Sequence, residues 1–232
     1  MKKNLTAKQT FDLAFESYQQ KNFKKSEKLY KKILITHPDH ANTYVNLGNV
    51  YKKLGKYDQA KVCYEKVIQL TPNDPDAYYN LGNVYKKLDK QQEAIDYYNK
   101  SIQINPHYLG AYNNLGNVFK DLGEYKKAIY CYNKVIKINP NNSEAFNNIG
   151  LSYWKLGKTE LAVNSYQTAL AKRSNIQLDV ESKLRPATTF FFLELTNKCN
   201  FHCEFCPSDS QTRLHGYMDI SLAKKIFDEI SE

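Results

Sequence analysis

Residues 76–94 read DAYYNLGNVYKKLDKQQEA. The same pattern stands at three other places: NTYVNLGNVYKKLGKYDQA from Asn42, GAYNNLGNVFKDLGEYKKA from Gly110 and, more loosely, EAFNNIGLSYWKLGKTELA from Glu144. Successive copies begin 34 residues apart, and Pro38, Pro72, Pro106 and Pro140 keep the same interval. A fixed period of that size marks an array of stacked units. Inside a unit the apolar residues recur at helical spacing: Tyr78, Leu81 and Tyr85 form one stripe, and Ala94, Tyr98 and Ser101 a second. The polar turn around Leu88-Asp89-Lys90 separates them. Gly82 and Ala94 are small where two helices must approach closely, and Pro106 ends the second helix. Each unit is thus a helical hairpin whose apolar face is buried only by stacking on its neighbours.

At these residues the chain resembles the tetratricopeptide repeat family. The second unit carries Tyr44, Leu47, Gly48, Tyr51, Ala60, Tyr64, Val67 and Pro72, and the fourth carries Tyr112, Leu115, Gly116, Phe119, Ala128, Tyr132, Val135 and Pro140. The first unit departs, with Thr10, Ala14 and Ser26 at the aromatic, glycine and alanine places, as suits a terminal repeat with one side to water. The fifth keeps Phe146, Gly150, Tyr153, Ala162 and Tyr166 but has Ser174 for the proline. The expected organisation is a tail over 1–6, then five repeats over 7–176 (7–40, 41–74, 75–108, 109–142 and 143–176). The resemblance implies a mainly α, right-handed solenoid of helical hairpins. Most of the 19 tyrosines fall on repeat-core positions rather than on a base-stacking platform.

Asparagine keeps the period too. Asn46, Asn80, Asn114 and Asn148 precede the Leu-Gly or Ile-Gly pair, and Asn49, Asn83 and Asn117 follow it. Residues three apart share a helix face, and this face is not the apolar stripe. In the superhelix that such repeats imply, it falls on the concave wall. An asparagine side chain offers donor and acceptor together, so a ladder of them can pair with an extended peptide backbone. It resembles the ladder lining the repeats of O-GlcNAc transferases, which implies a peptide or protein partner. The competing reading is a solvated face inherited through duplication.

Bulk numbers set the frame. Of 232 residues, 42% are hydrophobic and 25% charged, a globular rather than disordered composition. No apolar run reaches the 18 or so residues of a membrane span, and MKKNLTAKQTFDL lacks a signal peptide's apolar core. A cytoplasmic protein with no membrane partner is expected. There are 33 Lys and Arg against 24 Asp and Glu. The lysines are spread in pairs such as Lys52-Lys53 and Lys86-Lys87, which reads as a solvated helix face rather than a nucleic-acid site. Cys63 and Cys131 sit two repeats apart, too far for a disulfide, and are expected to be inert thiols.

The remaining cysteines, Cys199, Cys203 and Cys206, fall together in NKCNFHCEFCPS. The pattern predicts a linker over 177–188, a buried strand over 189–196, the cysteine loop, and an amphipathic helix over 221–230, with Asp219 or Ser221 able to cap it. Three neighbouring thiolates suit a soft metal centre; a [4Fe–4S] cluster normally takes four, so three leave one iron open. Zinc would need a fourth ligand such as His202 or His215. Inert cysteines and a thiol redox pair at Cys203 and Cys206 are the other readings.

The loop Cys199-Asn-Phe-His-Cys203-Glu-Phe205-Cys206 resembles the radical SAM superfamily. The resemblance implies that 189–232 begins an α/β barrel. It implies that Cys199, Cys203 and Cys206 ligate a [4Fe–4S] cluster, that Phe205 lies beside the adenine of S-adenosyl-L-methionine, and that a reductant is required for catalysis. Arg213, Gly216 and Met218 resemble a subgroup that modifies peptides. The glycine-rich second-strand motif would come after residue 232, so this stretch by itself is expected not to turn over. Two functions of different classes follow: a radical SAM enzyme whose repeats recruit a peptide or protein, or a non-catalytic peptide-binding scaffold.

Overall fold

A computed structural model describes residues 5–174. The linker over 177–188, the strand, cysteine loop and helix expected within 189–232, and with them Cys199, Cys203, Phe205 and Cys206, lie outside the described residues. Among the described residues the chain is helical throughout, with no strand. It divides into two compact units, one ending at Gly123 and one beginning at Glu124.

The first unit holds α1 (Ala7–Gln19), α2 (Phe23–Thr36), α3 (Ala41–Lys53), α4 (Tyr57–Leu70), α5 (Pro75–Lys87), α6 (Gln91–Ile104) and α7 (Leu109–Asp121). Helices α1 and α2, α3 and α4, and α5 and α6 pair as hairpins, while α2 packs on α3, α4 on α5 and α6 on α7. Each hairpin closes over a buried tyrosine: Tyr30, Tyr64 and Tyr98 are all wholly enclosed. For Tyr64 and Tyr98 the glycine of the preceding helix makes room for the ring. A Cβ on Gly48 would meet Tyr64 Cζ at 2.7 Å, and one on Gly82 would meet Tyr98 Cε1 at 2.7 Å. Ala60 and Ala94 are equally enclosed, so the close approach expected from small residues is present. In the first hairpin, Ser26 at the alanine place donates its hydroxyl to Ala14 O at 2.9 Å.

Local chemistry starts and stops the helices. Thr6 and Gln9 form a reciprocal capping box on α1. Asp74 caps α5 ahead of Pro75, a residue whose fixed φ suits the first turn. Between the helices of a hairpin the chain passes through left-handed backbone: φ is 71° at Gly55, 76° at Gly123 and 70° at Gly157, but 60° at Lys21 and 58° at Asp89. Glycine adopts that conformation freely, whereas lysine and aspartate are strained there.

The second unit contains α8 (Tyr125–Ile138), α9 (Ser143–Lys155) and α10 (Thr159–Ser174). Helix α9 packs against both others. Its hairpin with α10 repeats the interlock, with Tyr166 Cε1 at 2.8 Å from where a Gly150 Cβ would stand. Leu151, Tyr153, Trp154 and Val163 pack around Ala162 and Tyr166. No helix among the described residues is long and apolar enough to cross a membrane.

Candidate functional site

The asparagine ladder of the first unit rides on α3, α5 and α7, the leading helices of successive hairpins. Asn46, Asn49, Asn80, Asn83, Asn114 and Asn117 are all half-buried. Asn148, on α9 of the second unit, is only 6% exposed. At that exposure Asn148 offers little surface to a ligand, unlike the six half-buried asparagines of the first unit.

The ladder is a network rather than a row of free amides. The buried phenol of Tyr64 donates to Asn49 Oδ1 at 2.8 Å, and that of Tyr98 donates to Asn83 Oδ1 at 2.8 Å. Asn83 Oδ1 also accepts from Asn114 Nδ2 at 2.6 Å. The same Asn114 nitrogen donates to the Tyr79 hydroxyl at 3.2 Å. Asn46 turns one N–H back onto Asn42 O of its own helix at 3.0 Å. Burial pushes the phenols of Tyr64 and Tyr98 well above the usual tyrosine range, with Cys63 adding at Tyr64 and Tyr79 at Tyr98. Both hydroxyls therefore keep their protons and remain donors.

Lys52 departs from the solvated-face reading. Lys53 and Lys87 are exposed, but Lys52 and Lys86 are half-buried. Lys86 finds Asp121 at 3.5 Å. Lys52 instead donates to the neutral Asn80 Oδ1 at 3.0 Å and lies 5.5 Å from the Tyr64 ring centroid. No carboxylate among the described residues pairs with it. Burial, and secondarily Lys53, pulls its ammonium below the usual lysine range. The difference arises one unit on: where Lys86 meets Asp121 on α7, the residue 34 places earlier is Lys87.

An aromatic wall adjoins the ladder. The Tyr79 ring lies 5.1 Å from that of Tyr108 and 6.1 Å from that of Tyr98. The Tyr108 hydroxyl donates to Asp76. Burial, reinforced by that carboxylate, raises the Tyr108 phenol far above its ordinary value. The periodic reading missed this wall, yet two signals lay in the sequence. Tyr79 stands where the other copies have Val45, Asn113 and Asn147. Tyr108 stands at the residue before α7, where His40, Asp74 and Asn142 cap the corresponding helices; it makes no side-chain cap.

The other cysteines behave as expected. Cys63 and Cys131 are free and buried. Burial pushes each thiol to about 12, so neither is poised as a nucleophile. Among the described residues no cluster of His, Cys, Asp or Glu has the makings of a metal site.

Comparison with known proteins agrees with this geometry. Sequence models of the family described as tetratricopeptide repeat match residues 75–108, 29–62 and 97–130, and 145–178. One described as TPR repeat matches 48–89 and 116–157. A crystal structure of MamA protein is 32% identical, with a TM-score of 0.68 over 78% of this chain and 98% of that one. A second MamA structure is 33% identical, with a TM-score of 0.66 over 70% of this chain and 95% of that one. YrrB, described as a TPR protein with an unusual peptide-binding site, is 24% identical, with a TM-score of 0.60 over 73% of this chain and 88% of its own. No curated protein matches the chain.

Proposed function

Because the chain belongs to the tetratricopeptide repeat family, we propose that it is a protein-interaction scaffold whose leading helices α3, α5 and α7 hold an extended peptide segment of a partner. The observation that carries this reading is the half-used hydrogen-bonding capacity of the ladder. Asn49, Asn80 and Asn83 each have a committed oxygen and no partner for Nδ2 among the described residues. Amides fixed at one end and free at the other suit a ligand main chain, and Tyr79 and Tyr108 add apolar area beside them. The test is an array of capped peptides of varied sequence, read against the whole chain and the Asn80→Ala/Asn114→Ala double variant. Binding should weaken across the array while helicity is unchanged. Undiminished binding by the double variant would refute the reading.

A second reading attaches to Cys199, Cys203 and Cys206. Three thiols within eight positions, with Phe205 before the last, form a donor set that fits a [4Fe–4S] cluster with one iron left open. Such a cluster supplies reductive cleavage of S-adenosyl-L-methionine, given a reductant. The three cysteines would hold it as thiolates, and Phe205 would offer an aromatic face to the adenine. On this reading the repeats recruit the peptide or protein to be modified. Anaerobic reconstitution with iron and sulfide tests it: both should be retained by the whole chain and lost in Cys203→Ala. Zinc binding, or no iron at all, overturns it.

A further inference from the structure

We propose that Tyr64 and Tyr98 are positioning residues. Each locks a ladder amide with its oxygen inward, so that the face of α3 and α5 reads the carbonyl oxygens of a ligand backbone rather than its N–H groups. This deepens, and rests on, the peptide-binding reading above.

A free asparagine amide can turn either end to a ligand. Here three of them hold their oxygen against a protein donor. Asn49 Oδ1 takes the Tyr64 hydroxyl at 2.8 Å. Asn83 Oδ1 takes two donors, Tyr98 at 2.8 Å and Asn114 at 2.6 Å. An ammonium only donates, so Lys52 at 3.0 Å fixes Asn80 Oδ1 inward as well. What remains to a ligand from these three side chains is N–H. Asn114 is the counterpart: its nitrogen serves both Asn83 and Tyr79, leaving its oxygen as acceptor. A peptide laid along the ladder thus meets donors over α3 and α5 and an acceptor at α7, which gives the face a polarity.

The molecule contains its own control for whether these hydroxyls merely serve packing. Tyr30 and Tyr166 occupy the same place in their hairpins. Fifteen residues before them, where Asn49 and Asn83 stand relative to Tyr64 and Tyr98, are Phe15 and Leu151. Both hydroxyls lack a partner among the described residues, yet the rings are 0% and 3% exposed. A buried orphan hydroxyl is unfavourable, and the hairpins close over it all the same. The tyrosine–asparagine bond is therefore not what closes a hairpin. It accompanies the ladder.

Two probes test this on the whole chain by fluorescence anisotropy: a capped, labelled decaproline, which has carbonyls but no backbone N–H, and a capped, labelled (Ala-Ser)5 peptide, which has both. Both should bind. Among the described residues Tyr64 is the sole donor to Asn49 Oδ1, so Tyr64→Phe, which keeps the ring and removes the donor, frees that amide; it should weaken decaproline about fivefold, the loss of roughly one hydrogen bond. Asn83→Asp keeps an acceptor for Tyr98 but removes the outward N–H, and should weaken it at least as much. Tyr30→Phe should leave binding unchanged. In the absence of any peptide, Tyr64→Phe should also shift the side-chain amide resonances of Asn49. If (Ala-Ser)5 binds and decaproline does not, the carbonyl-reading face is wrong while the peptide-binding reading stands. If neither binds, both are wrong. Unchanged affinity, or unshifted Asn49 resonances, in Tyr64→Phe overturns the positioning role.

Discussion

Substituting Gly82 by alanine probes the glycine–tyrosine interlock of the α5–α6 hairpin. The added Cβ would lie 2.7 Å from Tyr98 Cε1, 2.8 Å from Cδ1 and 3.2 Å from Cζ. Ordinary carbon contacts stand at about 3.5–4.0 Å, so the ring must retreat by roughly 0.8 Å. It has little room. Tyr98 is wholly buried, and its hydroxyl is held by Asn83 at 2.8 Å. Overpacking of this kind costs about 1–3 kcal/mol, and a ring anchored at both ends belongs in the upper half of that range. Replacing glycine inside a helix returns about 1 kcal/mol of backbone propensity. The expected net loss is about 1–2 kcal/mol, read from urea unfolding followed by helical ellipticity. The diagnostic step repeats the substitution in a Tyr98→Leu background. With the ring gone only the propensity gain survives, and Gly82→Ala should become neutral or stabilising by up to about 1 kcal/mol. Neighbours that share a contact are expected to be non-additive in this way. Equal destabilisation in both backgrounds would show that the ring is not the obstacle.

The turn positions make a contrasting prediction. Lys21→Gly should stabilise by about 1 kcal/mol, raising the thermal midpoint by about 2–4 °C, because the strained left-handed backbone at φ 60° is relieved. Asp89→Gly should gain less, since aspartate tolerates that region better; a fall in either midpoint refutes the strain argument. Alkaline pH should unfold the chain. Cys63 is raised from 9.0 to about 12 and Tyr30 from 10.0 to about 12, so the folded state holds these protons more tightly than the unfolded one. Their stabilisation is full below about pH 9 and is lost as pH rises towards 12, and a urea midpoint that stays level to pH 11 would contradict it. Under native conditions at pH 8 the thiols of Cys63 and Cys131 should resist alkylation and should react at once in denaturant; fast labelling of the folded chain would place them at the surface.

Much of the hairpin architecture was legible because it is periodic. Tyr64 and Tyr98 could be assigned to the core, and Gly48 and Gly82 to close approach, from spacing alone, since the apolar stripes that hairpins bury recur every 34 positions. The asparagine face was legible in the same way. What the ladder touches was not. That the Tyr64 hydroxyl meets the amide of Asn49 depends on how far a buried ring reaches across a hairpin, and a pattern of letters carries no such length. Lys52 shows the limit most clearly. In sequence it is half of a lysine pair like Lys86-Lys87; in the fold its environment is decided by a single exchange of aspartate for lysine on the next unit. Asn148 keeps the ladder's register and is buried all the same, so register alone does not confer access.

Tyr108 has a consequence for how the array breathes. Of the helices that lead a hairpin, α1, α3, α5 and α9 begin under a side-chain cap, and α7 does not. The residue in the capping place spends its ring on Tyr79 and its hydroxyl on Asp76 instead. An uncapped first turn opens at lower free energy than a capped one. Amides of residues 110–112 should therefore take up deuterium sooner than those of residues 76–78 at the start of α5. A ligand laid across Tyr79 and Tyr108 would slow that uptake, so the rate of isotope exchange at one helix end becomes a label-free clock for occupancy of the ladder beside it.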